Sequence, residues 1–272
     1  MLTSHKEAYT SLNLVMKILQ TAERVSPTDL SDNYVFQRSI LAYYEAATMV
    51  HGNVLELGSG EGYGIELLAP KSDKYVCVDK HMPGVDFAKY PNVEFKQSSF
   101  PPLTDFADNT FDFVVTFQVI EHIPNDKLFV QEIYRVLKPG GKMIVTTPNK
   151  KMSITRNPWH VREYTIIELE NLLLKSFQAV DKKGVSGNAK IMEYYNKNKA
   201  SVRRITRFDI FNLQYLLPRQ ILQIPYDILN RMNRNKLLEN NSGLVADISK
   251  EDYKVQVADE QCFDWFYIAM KK

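Results

Sequence analysis

The sequence predicts an α/β protein: a doubly wound sheet of seven mostly parallel strands, with helices ahead of it and a helical insertion before its last strand. Three observations predict it. Short apolar, β-branched runs alternate with helix-like stretches from Asn53 onward, the pattern of a parallel sheet covered on both faces. Four glycines, Gly58, Gly60, Gly62 and Gly64, crowd the junction between the first such run and the helix after it. A long segment rich in Lys and Arg separates the last two strand-like runs, more chain than the sheet itself needs.

Taken in order, the first fifty residues read as helices. The stretch "SLNLVMKILQTAERV" spaces Leu12, Val15, Met16 and Leu19 at helical intervals, "SPTD" interrupts, and "YVFQRSILAYYEAATMV" resumes the rhythm. From there "NVLELGS", "KYVCVDK", "VEFKQSS", "FDFVVTFQ" and "KMIVTTP" read as strands, with "GIELLA" and "DKLFVQEIYRVL" as helices between them. Gly140 and Gly141, after Pro139, mark a helix stop and a tight entry into the fifth strand. "TIIELENLLLKSF" follows as a helix, with Thr165 as N-cap and Glu168 completing a capping box. "FQAVDKKGVSG" is the predicted sixth strand and "DWFYIAMKK" the seventh. The expected organisation is an N-terminal helical segment over 1–52, a sheet domain formed by 53–185 and 255–272, and a basic helical cap over 186–254. Pro218 and Pro225 are expected to break that cap into short helices.

Composition narrows the function classes. The 272 residues carry a net charge of +2, which implies no obligate polyanionic partner. The charge is unevenly spread, since Lys182 to Lys236 holds 12 Lys and Arg against three acids, Glu193, Asp209 and Asp227. Two cysteines, Cys77 and Cys262, in no Cys/His pattern, predict neither zinc nor disulfides and fit a reducing cytoplasm. "MLTSHKEAYT" lacks the plan of a signal peptide, and no run reaches the roughly 18 apolar residues of a membrane span, so a soluble cytoplasmic protein is expected.

The glycine loop carries the chemistry. Glycine lacks a Cβ and tolerates positive φ, so a strand, close-set glycines and a helix let a small molecule lie against the backbone. Asp79 ends the next apolar run, at a separation from Gly58 where a carboxylate at the second strand's end can take the two hydroxyls of a ribose. A dinucleotide fingerprint would need glycine where Tyr63 stands, and Glu56 would repel a pyrophosphate. No Gly-Lys-Ser/Thr follows, which disfavours a P-loop. A ligand with an ammonium beside a ribose suits Glu56, and S-adenosylmethionine has that shape.

The motifs "VLELGSGEGYG", "VCVDK", "NVEFKQSSFPPLTDFADNTFD", "FVVTFQVIEHIPN" and "VLKPGGKMIVTTPN", in this order from Val54 to about Pro148, resemble those of class I S-adenosylmethionine-dependent methyltransferases. The resemblance implies a Rossmann-like sheet whose last strand is antiparallel, and S-adenosyl-L-methionine as cofactor. It places Glu56, Gly58, Ser59, Gly60 and Gly62 around the methionine and ribose portions, Asp79 on the ribose hydroxyls and Lys80 beside it. Similar enzymes often carry Gly-Asp where this chain has Ser98 and Ser99, so Ser99 would face the adenine amino group without a charge. Phe100 or Met82 would lie against the adenine, and Phe117 and Gln118 near the sulfonium. Tyr34 and Arg38, on the helix before the first strand, would reach the cofactor's carboxylate; ordinary helix-surface roles are the alternative.

Methyl transfer from a sulfonium mainly requires acceptor and methyl to be held at attack distance, about 3 to 3.5 Å. An oxygen acceptor gains from a general base, and His122 in "VIEHIP" and His160 in "NPWHVREYT" are the candidate catalytic residues. Glu121 and Asp112 are expected to be structural, and no cluster has metal-ligand spacing, so no metal is expected. The leading function is methylation of a small-molecule acceptor, on oxygen, of a sugar, glycan-precursor or polyketide-like kind. The alternatives are a peripheral-membrane quinone or lipid methyltransferase and a non-catalytic S-adenosylmethionine-binding protein. No nucleic-acid partner is expected, because no Asn-Pro-Pro-Tyr or Asp-Pro-Pro-Tyr follows the fourth strand. The cap is expected to pack its apolar face on the sheet domain and solvate its charges, with contact through Arg219, Arg231 and Arg234 to a membrane as the less favoured arrangement. Oligomeric state is open.

Overall fold

The computed structural model describes residues 25–207, 209 and 212–272. The predicted helix carrying Leu12, Val15, Met16 and Leu19 lies outside the described residues. Those described fall into two compact units, one spanning Gln37–Ser153, His160–Met192 and Ile248–Lys272, the other Ile154–Trp159, Glu193–Asp247 and the chain up to Phe36.

The first unit is built on an eight-stranded sheet. In chain order the strands are β1 Asn53–Leu57, β2 Lys74–Asp79, β3 Val93–Gln97, β4 Phe111–Phe117, β5 Leu137–Pro148, β6 Ala179–Gly187, β7 Tyr253–Val257 and β8 Asp264–Met270. They are arranged β3-β2-β1-β4-β5-β8-β6-β7. β3, β2, β1, β4 and β5 pair in parallel, and β8 inserts antiparallel between β5 and β6. The expected seven strands are thus joined by an eighth. "YKVQV", lying across the predicted end of the cap, forms β7, antiparallel to β6 at the sheet's edge. Its alternation of buried and exposed positions is short, and the register that makes it a strand is set by Lys183–Gly187, a partner distant in the chain.

The central strands are mostly apolar because both faces are covered. Val54, Leu55 and Leu57 of β1 are fully buried. One face packs Leu55 and Leu57 with Phe129, Val130 and Ile133 of α3 and Leu169 and Leu173 of α4 in a single core. Here α3 is Asp126–Val136, N-capped by the Asn125 side chain, and α4 is Ile166–Leu173, which carries the predicted capping box of Thr165 and Glu168. On the other face, Tyr43 of α1, Asn33–Ala47, reaches Glu56 of β1. The loop after β1 leads into α2, Ile65–Leu68. The predicted helix stop before the fifth strand is instead a bulge inside β5: pairing jumps from Phe111↔Leu137 to Phe113↔Lys142, and Gly140 takes a φ of +80°. Asp112 acts structurally as expected, its Oδ2 accepting from the Asn53 backbone N–H at 2.8 Å and from Lys138 Nζ at 2.7 Å.

The second unit is helical. It contains the later part of α5, Ala189–Thr206, with α6 Leu213–Leu216, α7 Arg219–Asn240 and α8 Ser242–Ala246. Pro218 ends the preceding turn as predicted, but Pro225 sits inside α7 without breaking it, against expectation. A proline at the seventh position forfeits one hydrogen bond to the Ile221 carbonyl. The rest of that helix outweighs the loss through polar contacts: Arg234 and Arg231 meet the fully buried Asp32 at 2.7 and 3.0 Å, and Asp227 accepts from Trp159 Nε1 at 2.9 Å.

Candidate active site

In the order β1-β4 the chain leaves the sheet's centre in opposite directions, the switch point at which open α/β sheets bind ligands beyond their strand ends. The glycine loop occupies that end of β1. Gly58 has a φ of +84°, and a Cβ there would come within 2.4 Å of Val119 Cγ2, so only glycine fits. Gly60, at φ +55°, has nothing within 4 Å of its Cβ position, which leaves its backbone open to a ligand. Gly64 is different. Its φ is −75°, and a Cβ would lie 2.0 Å from the Tyr43 ring, so this glycine makes room for a side chain.

That ring explains Glu56. Tyr43 OH donates to Glu56 Oε1 at 2.7 Å and Tyr75 OH to Oε2 at 2.6 Å, beneath the loop. The carboxylate is 1% exposed, and burial pushes its pKa up while the two tyrosine hydroxyls pull it down. Glu56, expected to serve a ligand's ammonium directly or through water, thus has both carboxylate oxygens already bonded by tyrosine hydroxyls.

Asp79 ends β2 with Oδ2 accepting from Gly60 N–H at 2.9 Å and Oδ1 from His81 N–H at 3.0 Å. Those bonds aim the carboxylate along the loop's mouth, with Lys80 exposed beside it. Ser59 is buried, and its hydroxyl has no hydrogen-bond partner among the described residues. An orphaned hydroxyl, an open Gly60 and a carboxylate at the strand end form a cradle that fits the hydroxyl-rich nucleoside of S-adenosylmethionine. Ser98 and Phe100 line a hollow with Val78, Leu103 and Phe106. Phe100 also stacks on Phe129 at 5.7 Å, while Ser99 and Met82 are exposed. At the end of β4, the Phe117 ring meets that of Tyr43 edge-on at 4.8 Å. Gln118 is held at a φ of +57° by its N–H to Thr146 carbonyl bond of 3.0 Å, a strained conformation of the kind that collects at ligand sites.

The two residues expected ahead of β1 are placed differently. Tyr34 belongs to the helical unit, buried and stacked on Tyr194 at 4.2 Å. Arg38 belongs to the sheet unit, with Nε 2.9 Å from Asp264 Oδ2 and its guanidinium 5.7 Å from the centre of the Phe263 ring. Its charge is already matched by a buried carboxylate whose pKa burial raises.

Beyond β4 and β5 the structure brings together His122 and His160, their rings edge-on at 5.0 Å. Backbone bonds make the meeting: Val161 N–H donates to the Glu121 carbonyl at 2.7 Å, and Arg162 bonds the Ile123 and Pro124 carbonyls at 2.8 Å each. Glu163 Oε1 lies 2.7 Å from His160 Nδ1. Glu121, expected to be structural, is 1% exposed, takes Thr147 Oγ1–H on Oε2 at 2.9 Å, and leaves Oε1 with no hydrogen-bond partner among the described residues. Burial raises its pKa, opposed by the two histidines. Ligand atoms of Glu121, His122 and His160 all lie within 4.8 Å of one another. Such a set can hold a divalent cation, and the wide separation of the two histidines along the chain concealed it.

This architecture is that of a nucleoside-binding enzyme on a doubly wound sheet, and the relatives of the chain agree. Residues 55–145 match the family model described as a methyltransferase domain. A protein of Mycolicibacterium smegmatis named a probable S-adenosylmethionine-dependent methyltransferase is 36% identical over 191 residues, covering 67% of this chain and 74% of that protein. A mouse mitochondrial ubiquinone biosynthesis O-methyltransferase is 30% identical over 106 residues, 36% of this chain and 29% of that one. The crystal structure of an S-adenosylmethionine-dependent methyltransferase from Thermotoga maritima superposes with a TM-score of 0.51 at 15% identity, covering 88% of this chain and 92% of that one, a likeness of fold. The chain belongs to the S-adenosylmethionine-dependent methyltransferase family, and S-adenosylmethionine is its methyl donor.

Proposed function

We propose that the enzyme methylates an oxygen of a small-molecule acceptor, of a sugar, glycan-precursor or polyketide-like kind, with His160 as general base and His122 beside it. The observation that carries this reading is the Glu163–His160 contact of 2.7 Å at the sheet's ligand-binding end. S-adenosylmethionine, when bound, supplies a methyl on a positive sulfonium that departs as a neutral thioether. The Asp79 carboxylate and Ser59 hydroxyl bind the ribose hydroxyls and hold the donor on the loop, and Gln118 closes its methionine end. Glu163 fixes the His160 ring through Nδ1, which gives Nε2 the acceptor's hydroxyl proton as the oxygen attacks. A carboxylate acceptor needs no such base, so a built histidine–carboxylate pair favours an alcohol or phenol.

Calorimetry with S-adenosylmethionine should show Asp79→Ala weakening binding by roughly 30-fold or more through loss of two charge-assisted hydrogen bonds. An acceptor panel followed by S-adenosylhomocysteine release should give turnover with hydroxyl compounds, abolished in His160→Ala and partly restored by added imidazole. Turnover confined to amines or carboxylates overturns the reading.

The orphaned Glu121 Oε1 favours a second reading of the same cluster, in which Glu121, His122 and His160 hold a divalent cation that orients the acceptor oxygen. Calorimetry with Mn²⁺ or Zn²⁺ separates the two: binding by the wild type and loss of it in Glu121→Gln support the cation.

A further inference from the structure

The helical unit carries an inverted helix. In α7 four polar side chains turn inward: Asp227 and Asn233 are buried, Arg231 and Arg234 meet Asp32, and Asn233 donates to Asn198 at 2.7 Å. Leu237 is buried too, but most of the large apolar side chains in the first four turns of α7 are exposed. Ile221, Ile224, Ile228, Leu229 and Met232 recur at helical spacing along one side, and Ile221, Ile224 and Met232 are 61%, 59% and 62% exposed. Tyr215 and Leu216 of α6 are exposed as well, Leu216 at 72%. Scattered exposed apolar residues are ordinary, but a continuous helical face of them is a docking surface.

The Asp32 pairing corrects, at Arg231 and Arg234, the expectation that the cap's charges are solvated. It also removes Arg231 and Arg234 from any membrane contact, since both pair with Asp32, and Arg231 lies 3.2 Å from Asp29 as well. The charges at the end of α5 and the start of α7 are basic. Arg203 and Arg204, in the last turn of α5, are exposed, as is Arg207 just beyond it, and Arg219 begins α7. An apolar helical stripe with a cation at the start of its own helix and further cations at the end of α5 matches the interface of a bilayer that carries anionic headgroups. A second copy of the chain would bring the same cations against themselves. No described helix is long and apolar enough to cross a membrane, so the contact lies in the interface plane.

We propose that the outward apolar face of α7, with Tyr215 and Leu216, docks the enzyme on an anionic lipid bilayer. The surface is independent of the acceptor chemistry proposed above. Insertion of Ile221, Ile224, Ile228 and Met232 supplies the apolar contribution, and Arg203, Arg204 and Arg219 supply attraction to headgroup phosphates.

Flotation of the full chain with vesicles of phosphatidylglycerol and phosphatidylcholine, against phosphatidylcholine alone, tests it. Binding is expected to the anionic vesicles, weakened about tenfold by each of Ile224→Ser and Ile228→Ser and severalfold by Arg203→Gln with Arg204→Gln. Thermal melting and S-adenosylmethionine calorimetry of the same variants should match the wild type, because the substituted side chains are exposed; this separates a failed docking surface from a failed methyltransferase site. Absence of vesicle binding, or equal binding by wild type and the Ser variants, overturns the proposal. So does a dimer in solution that Ile224→Ser converts to monomer without any lipid binding, which would assign the face to a second copy.

Discussion

Glu56, near the end of β1, and Glu121, in the turn after the neighbouring β4, are each 1% exposed with a pKa raised by burial, yet they are built for different work. Glu56 has both oxygens engaged by tyrosine hydroxyls, and its ring-bearing partner is seated by Gly64. Glu121 has one oxygen engaged by Thr147 and one left over beside two imidazoles. A buried carboxylate that is fully hydrogen-bonded holds a fold together, whereas one with an unmatched oxygen is held ready for a proton, a cation or a substrate. The difference teaches that burial and a shifted pKa do not mark a site by themselves; unused hydrogen-bonding capacity does.

The largest effect should come from the second carboxylate's cluster. Glu121→Gln and His160→Ala are expected to lower turnover by roughly 100-fold or more, with S-adenosylmethionine binding within about twofold of wild type. Glu56→Gln should show the reverse, a weakened cofactor affinity and a smaller fall in turnover, because it loosens the loop that carries the donor. Equal losses of turnover in both Gln variants, with cofactor affinity unchanged in each, would break the distinction.

Next in size is stability. Glu56→Ala leaves two buried tyrosine hydroxyls without an acceptor and opens a void under the glycine loop. A loss of about 3 to 5 kcal/mol in urea unfolding is expected. Glu121→Ala strands only the Thr147 hydroxyl and should cost about 1 to 2 kcal/mol.

The contrast also explains what was legible in the sequence. The run of strands along the chain, the glycine loop and Asp79 at the end of β2 were readable because each is local: a strand pattern, a spacing, a residue at a strand end. Glu56 stood out as an acid before the glycines, but its enclosure was not readable, since Tyr43 and Tyr75 arrive from a helix and from the next strand. Glu121 read as a loop residue because its partners come from β5 and from the segment after it, tied together by Val161 N–H and Arg162. The signal that could have raised it was the adjacency of Glu121 to His122 at the end of β4. β7 escaped for the same reason: a short edge strand is defined by its partner. The inverted α7 was hidden because periodicity shows that a helix has two faces and not which of them points inward; the buried Asp32 decides that.

A pH series sharpens the comparison at Glu56. Its folded pKa is raised, so the stability it contributes is fully present below the unfolded carboxylate value near 4.5 and is lost as pH rises through the folded value. Wild type should therefore lose ground to Glu56→Gln between acid and neutral pH, read as converging urea midpoints. Glu132 and Asp112 run the opposite way. Arg135 bonds Glu132 and holds its carboxyl below the usual range. At Asp112 partial burial pushes the pKa up, but the Lys138 ammonium and the Asn53 N–H outweigh it, so that carboxyl is also lowered. The contribution of both is lost as pH falls. Wild type and variant share that acid loss, which cancels in the difference. A midpoint difference that is flat from acid to neutral would show Glu56 to be insensitive to its burial.

The smallest effect tests whether Glu121 is aimed or merely buried. Thr147→Val keeps the shape of the side chain and removes the hydroxyl that fixes Oε2 at 2.9 Å. One oxygen of a buried carboxylate then loses its donor, which costs about 1 kcal/mol. If Thr147 only fills space, unfolding shifts by that amount and turnover stays put. If it aims Oε1 at the histidines, turnover falls by about threefold to tenfold at saturating substrate, with KM unchanged and cofactor affinity intact. Thr147→Ser, which restores the hydroxyl but not the methyl, should then recover the turnover while carrying its own stability loss of about 1 kcal/mol for the deleted buried methyl. That split separates a positioning hydroxyl from a packed one, and nothing comparable is available at Glu56, where each tyrosine donor is also a buried ring.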